Sequence, residues 1–165
     1  MQFLTAKSVL YIRAAWLLFI TYYLAFDAKY LCTIGFVILL GQAMEVKFVM
    51  LDNDNPLLGV VCVLFGLFVV SDVVPLMAEN YQYFESIVPI RLCIFFGIAA
   101  YSYLVKSSIL SNCLIFTYAF FEIWLNFLIY NNLRDEKYYR LKKFVEENED
   151  KIRQAEAERI VVVDN

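Results

Sequence analysis

The 165-residue sequence contains no histidine. That removes the commonest general base and metal ligand near neutral pH. Its four cysteines, Cys32, Cys62, Cys93 and Cys113, each stand alone in apolar sequence. Neither zinc-like spacing nor a CxxC pair exists, so they read as small hydrophobes rather than as a redox or metal set. No P-loop, HExxH or GxSxG pattern occurs, nor any N-x-S/T acceptor. No basic stripe suited to nucleic acid is present. The residues therefore imply no metal, no cofactor and no nucleic-acid partner. Charge is also scarce over most of the chain. Seventeen of the 31 charged side chains fall in the last 32 residues, leaving 14 for the first 133.

What fills the chain instead is apolar. The hydrophobic share is 62%, the aromatic share 18% and the mean hydropathy +0.63, well above the roughly 45–50% apolar usage of soluble domains. This is the composition of an integral membrane protein. The fold class it implies is all-α, a polytopic bundle of four to five spans over residues 1–132, followed by a charged cytosolic segment over 133–165. Val9 to Phe26 is the first apolar segment, interrupted by Arg13, which reads as snorkelling to one interface. A signal peptide has similar proportions, but no small-x-small site precedes Asp27, so a retained span is the reading adopted. Tyr30 to Met44 is about 22 Å long as a helix and short for a hydrocarbon core of about 30 Å. It spans only if it runs on through Glu45 and Lys47 to Leu51; otherwise it is tilted, re-entrant or packed on its neighbours. Asp52-Asn-Asp-Asn-Pro56 is a loop with Pro56 placed to open the next helix. Leu57 to Met77 is a full span that Pro75 bends or ends. Ala78 to Ser86 reads as an interfacial connector, Ile87 to Val105 as a span with Pro89 in its first turn, and Ile109 to Tyr130 as the last span.

Three of these runs carry ionisable residues that are expensive in lipid: Asp72, Arg91 and Glu122. Asp72 lies about 7 Å below the end of its run, Arg91 about 6 Å inside a start at Ile87, and Glu122 about 12 Å from an exit near Tyr130. Their side chains fall toward one face, and Arg91 is long enough to reach a deeper carboxylate. An intramembrane polar cluster follows, joined by Asn126 as an interhelical hydrogen-bonding group, with Gln42 able to serve similarly. The pattern leaves open whether Arg91 pairs with Asp72, Glu122 or both. A structural clamp, a lipid head-group site and acid–base chemistry compete for the cluster. The clamp is favoured, because no nucleophile, metal set or histidine accompanies the carboxylates.

After the last span, Arg134, Lys137, Arg140, Lys142 and Lys143 form a basic cluster. It places the tail in the cytosol by the positive-inside rule and suits anionic lipid head groups. Leu141, Phe144, Val145, Ile152 and Ala155 recur at helical spacing, which predicts an amphipathic helix. The β-branched run Ile160, Val161, Val162 and Val163 is suited to adding a strand to a partner's sheet edge.

Asp72-Val-Val-Pro-Leu76 with Glu79-Asn80 and Tyr83-Phe84 resembles a fungal family, increased loss of mitochondrial DNA protein 1. So do Val88-Pro-Ile-Arg-Leu92 with Ile94-Phe-Phe96, Glu122 to Asn131 followed by Arg134-Asp-Glu-Lys137, and the shorter Gln42-Ala-Met44. The resemblance covers roughly residues 9 to 137. It implies a small multi-span protein of the endoplasmic reticulum membrane that is not an enzyme, and it assigns no biochemical role to Asp72, Arg91 or Glu122. It further implies a link to large bridge-like lipid-transfer proteins, for which such a bundle is a membrane partner at a contact site. The expectation is a non-catalytic subunit that docks or supports such a protein and aids lipid entry. An independent membrane-protein assembly factor and a membrane-embedded lipid enzyme are the alternatives.

Overall fold

The computed structural model describes residues 5–149. Among these the chain forms six helices and no strand: α1 (Ala6–Phe26), α2 (Ala28–Thr33), α3 (Gly35–Ala43), α4 (Leu57–Met77), α5 (Tyr81–Leu104) and α6 (Cys113–Glu147). Four of them, α1, α4, α5 and α6, are long and apolar enough to cross a membrane. The helix starts follow side-chain chemistry. Thr5, Asp27, Asn80 and Asn112 each accept a hydrogen bond from a backbone N–H three residues on, which occupies a donor the first turn leaves free.

The segment of uncertain length does not become a fifth crossing. It divides at Ile34 into helices of 6 and 9 residues, each far shorter than the hydrocarbon core. The return loop is fastened beneath the start of α6. Cys113 N–H donates to the Lys47 carbonyl at 2.9 Å, and Leu51 N–H donates to the Cys32 thiol at 3.3 Å. The helix pair therefore packs on the bundle, one of the outcomes its length had left open.

Several boundaries differ from those the sequence suggests: α1 begins at Ala6 rather than Val9 and α6 at Cys113 rather than Ile109, and two differences matter more. The stretch read as a connector after Ala78 is helical from Tyr81, because Asn80 caps a turn that the aromatic residues Tyr81, Tyr83 and Phe84 then pack. Pro89 consequently lies inside α5 rather than in its first turn, and Arg91 sits about 15 Å from the helix start. At the other end, α6 runs 35 residues without a break. It passes the predicted division at 132/133 as one helix, and Asn131 and Asn132 do not end it. Ile152, Ala155 and Ile160 to Val163 lie outside the described residues.

Packing makes α1 and α6 the inner pair. α4 lies along α1 and α5 along α6, while α3 covers the first turns of α6. Two apolar layers result. One joins Ala6, Val9, Leu10, Leu76, Phe84, Val88, Ile129 and Leu133; the other joins Ile20, Leu24, Ala28, Leu31 and Leu58. The turns after α3 and α4 each use a glutamate with positive φ, Glu45 and Glu79, both at 52°. Each of these glutamates meets a lysine from a distant segment, Glu45 with Lys106 at 2.9 Å and Glu79 with Lys7 at 3.2 Å. The hydrogen bond and then the charge of Lys106 hold the Glu45 carboxyl below its ordinary range.

Gly41 marks the tightest approach. A Cβ there would stand 2.9 Å from the Cβ of fully buried Cys113, whereas one at Gly59 would meet nothing within 4 Å. We expect Gly41→Val to destabilise the fold by about 1–3 kcal/mol through overpacking. Gly59→Ala should raise stability by up to about 1 kcal/mol. Thermal unfolding of both variants in one detergent checks the pair, and equal effects would contradict the packing of α3 on α6.

Candidate functional site

Between the two apolar layers lies a polar layer built by all four long helices. α4 brings Asp72, α5 brings Arg91, α6 brings Glu122 and Asn126, and α1 brings Arg13. Arg13 is the correction to the sequence reading. It does not snorkel outward, since it is 3% exposed and its guanidinium points into the bundle. Its Nε donates to Glu122 Oε2 at 3.0 Å, and its Nη2 stands 2.9 Å from the same oxygen. Its Nη1 donates to Asp72 Oδ2. The other Asp72 oxygen, Oδ1, accepts from Arg91 Nη1 at 2.6 Å. Arg91 thus pairs with Asp72, and Glu122 takes its cation from α1.

Two cations and two carboxylates make this layer neutral, which is what a site removed from water requires. Asp72 has both oxygens engaged and bridges two arginines; Arg13 bridges two acids. The result is a chain of charge-assisted bonds running α5–α4–α1–α6. Asn126 belongs to the cluster but not as a link between helices. Its Nδ2 donates to Glu122 Oε2 at 2.8 Å and to the Glu122 carbonyl at 2.7 Å, both within α6. It orients the carboxylate one turn away. Glu122 Oε1 and Asn126 Oδ1 have no partner among the described residues. Gln42, expected to help in the same way, is exposed on α3.

The basic cluster after the last span is not an open array of cations. Lys137 Nζ lies 2.7 Å from Glu85 Oε2, and Arg140 lies 3.4 Å from Glu85 Oε1 while covering the Tyr81 ring at 5.8 Å. These contacts pin α6 against the first turns of α5. Lys142 and Lys143 face Glu146 and Glu147 one turn on, and Arg134 faces Asp135. On the same end, the free backbone N–H of Ala6 donates to Glu136 Oε1 at 2.8 Å. Past these contacts, Tyr138, Leu141, Phe144 and Val145 lie along one side of α6, each more than half exposed.

Removing one member of a buried ion pair strands the other, which costs far more than the pair itself contributes. Arg13→Met leaves Glu122 without a cation, and we expect a loss of about 3–5 kcal/mol. Arg91→Met leaves Asp72 still bonded to Arg13, so the loss should be smaller, about 1–3 kcal/mol. Combining Arg13→Met with Glu122→Leu should recover part of the deficit, as for any directly coupled pair. A double-mutant cycle on thermal stability measures all three; an Arg91 variant as damaging as the Arg13 variant would refute this order.

The comparisons with known proteins agree with the motifs. The sequence model of the family described as increased loss of mitochondrial DNA protein 1 matches residues 4–143, somewhat beyond the motif-bearing stretch at both ends. The chain is 36% identical over 153 residues to "Protein ILM1" of Saccharomyces cerevisiae, covering 90% of this chain and 75% of that protein. It is 32% identical over 127 residues to "Protein ilm1" of Schizosaccharomyces pombe, covering 73% of this chain and 77% of that one. No solved structure matches. With a match over most of its length and the four charged residues of the polar layer inside the matched residues, the chain belongs to the increased loss of mitochondrial DNA protein 1 family.

Proposed function

We propose that the protein is a non-catalytic subunit of the endoplasmic reticulum membrane that docks or supports a large bridge-like lipid-transfer protein and aids lipid entry into it. The observation that carries this reading is the C-terminal end of α6. A 35-residue helix is about 52 Å long, and the hydrocarbon core takes only about 30 Å of it. Its last turns expose the stripe Tyr138, Leu141, Phe144 and Val145 while their polar neighbours pair among themselves. An apolar stripe on a helix held upright by its own span suits a protein partner better than a membrane surface, on which such a stripe would have to lie flat. The root of the helix is fixed by Glu122 and by the Glu85 pairs, so the stripe is presented in a defined direction. The buried carboxylates support a holding role, since three of their four oxygens accept from guanidinium groups.

Four crossings put the start of α1 and the end of α6 on one side. In this reading that side is the cytosol, with Lys7, Lys137 and Arg140 at the membrane boundary and Asp52 and Asp54 across it, as the positive-inside rule asks. A glycosylation acceptor inserted at Asn53 should be modified, while one appended after Asn165 should not; the reverse pattern would invert the topology.

Co-purification tests the docking itself. Isolated from native membranes in mild detergent, the intact protein should carry one large lipid-transfer protein in fixed proportion. Leu141→Glu with Phe144→Glu should release it while leaving the bundle's thermal stability unchanged. Varied, substoichiometric companions would favour the assembly-factor alternative, and recovery of the protein alone in both cases would defeat the proposal.

A further inference from the structure

On the far side of the polar layer from the tail, the bundle is not filled. A cavity of about 360 Å³ opens there to the exterior, roofed by α2 and α3, within the size range of about 300–1,000 Å³ usual for ligand clefts. Its walls include Ile20 and Leu24 of α1, Leu58 and Val61 of α4, and Leu114 of α6. Along α4 it extends from Leu58 to Phe65, about 10 Å of helix rise. The lining is mostly apolar, and its α1, α4 and α6 walls belong to helices long enough to cross a membrane, while Leu31, Val37, Val49 and Leu51 close it from α2, α3 and the return loop. The molecules that reach such a cavity are those of the bilayer.

Four residues with polar side-chain atoms interrupt this surface, Trp16, Asn112, Thr117 and Tyr118, and the polar atoms of two of them have no partner among the described residues. Trp16 Nε1 and Thr117 Oγ1 belong to residues that line the cavity, and both atoms are buried and unbonded. Thr117 is 5% exposed. A threonine in a helix ordinarily satisfies its hydroxyl on a carbonyl of the preceding turn. Thr21 and Thr33 do so here, at 2.7 and 2.8 Å; Thr117 does not. The indole N–H is a donor only, so it needs an acceptor, and the threonine hydroxyl is a second group that can donate. Hydrocarbon walls with two unmet donors call for a chain that carries a carbonyl oxygen.

We infer that this cavity holds one acyl chain of a membrane glycerolipid, with an ester carbonyl accepting hydrogen bonds from Trp16 and Thr117. This goes beyond the docking role and is independent of the tail stripe, so its test needs no partner protein. A lipid held here is distinct from the lipids that coat the outer faces of α4, α5 and α6, because the cavity wall discriminates by shape and by the two donors.

The test is photolabelling of the full chain in detergent micelles with phosphatidylcholine bearing a diazirine on one acyl chain, followed by peptide mapping. Labelling at the cavity segments of α1 and α4 should saturate and be displaced by unlabelled phosphatidylcholine. Labelling at the exposed side chains Trp124 and Phe127 should rise in proportion to probe. Val61→Trp fills the cavity from its partly exposed wall and should cut the saturable labelling about tenfold. Thr117→Val keeps the shape and removes the hydroxyl, and should weaken probe affinity about fivefold. Thermal unfolding of both variants confirms that each remains folded. Cavity labelling that never saturates, or that survives Val61→Trp in a folded protein, overturns the site. An unaffected Thr117→Val, or a diazirine sterol that labels the cavity in preference to the phospholipid, overturns the ester contact and with it the assignment of a glycerolipid.

Discussion

The fold depends on one guanidinium shared between two carboxylates. Arg13 is the only described side chain that bonds acids on two different helices, Asp72 on α4 and Glu122 on α6. Lipid supplies no hydrophobic drive to hold one helix against another, so small multi-span proteins rely on packing and on polar contacts between helices. Here the polar contacts form a single layer, and the apolar layers on either side seal it. Arg91 brings α5 to the same layer through Asp72. Each carboxylate makes the neighbouring cation tolerable, and each cation does the same for the acids, which is why the layer is neutral as a unit and costly to break at one member.

The four long helices are unevenly buried. α1 and α6, which carry Arg13 and Glu122, are the two best-covered. α4 and α5 each give one charged residue and expose most of their remaining surface, including Val60, Val63 and Leu67 of α4 and Ile90, Ile94 and Phe96 of α5. Lipid covers such side chains without penalty, so their exposure is ordinary in a membrane and says nothing by itself about partners. The stripe on α6 is different because it stands beyond the apolar span.

Asp72, Arg91 and Glu122 are legible in the sequence because each interrupts a long apolar run, where an ionisable group has few uses. Arg13 interrupts such a run too. It reads as an interfacial residue because a long side chain two turns from a helix end can reach water. Charge balance carries the signal: two acids and one arginine leave a buried site with a net negative charge, and Arg13 is the remaining cation in an apolar run. The broken second segment shows the opposite limit. Its shortness is visible in the sequence, but its packing is not, because Gly41 against Cys113 and Lys47 against Cys113 are contacts between residues far apart in the chain. The extent of α6 was hidden by Asn131 and Asn132, which look like a terminus. Their neighbours Ile129 and Leu133 pack into the inner apolar layer and carry the helix through. The cavity leaves no trace in composition, since a void depends on where side chains stop.

The unbroken course of α6 has a mechanical consequence. Phe144 and Glu122 lie 22 residues apart on one helix, about 33 Å along its axis. No proline or glycine between them offers a hinge. A load applied at the far tip of α6 therefore acts on a stiff lever, with the Glu85 contacts as fulcrum and the bond to Arg13 at the inner arm. Pulling on the tip strains the neutral layer directly, so the same ion pairs that fasten the bundle also set how much force its outer end can bear.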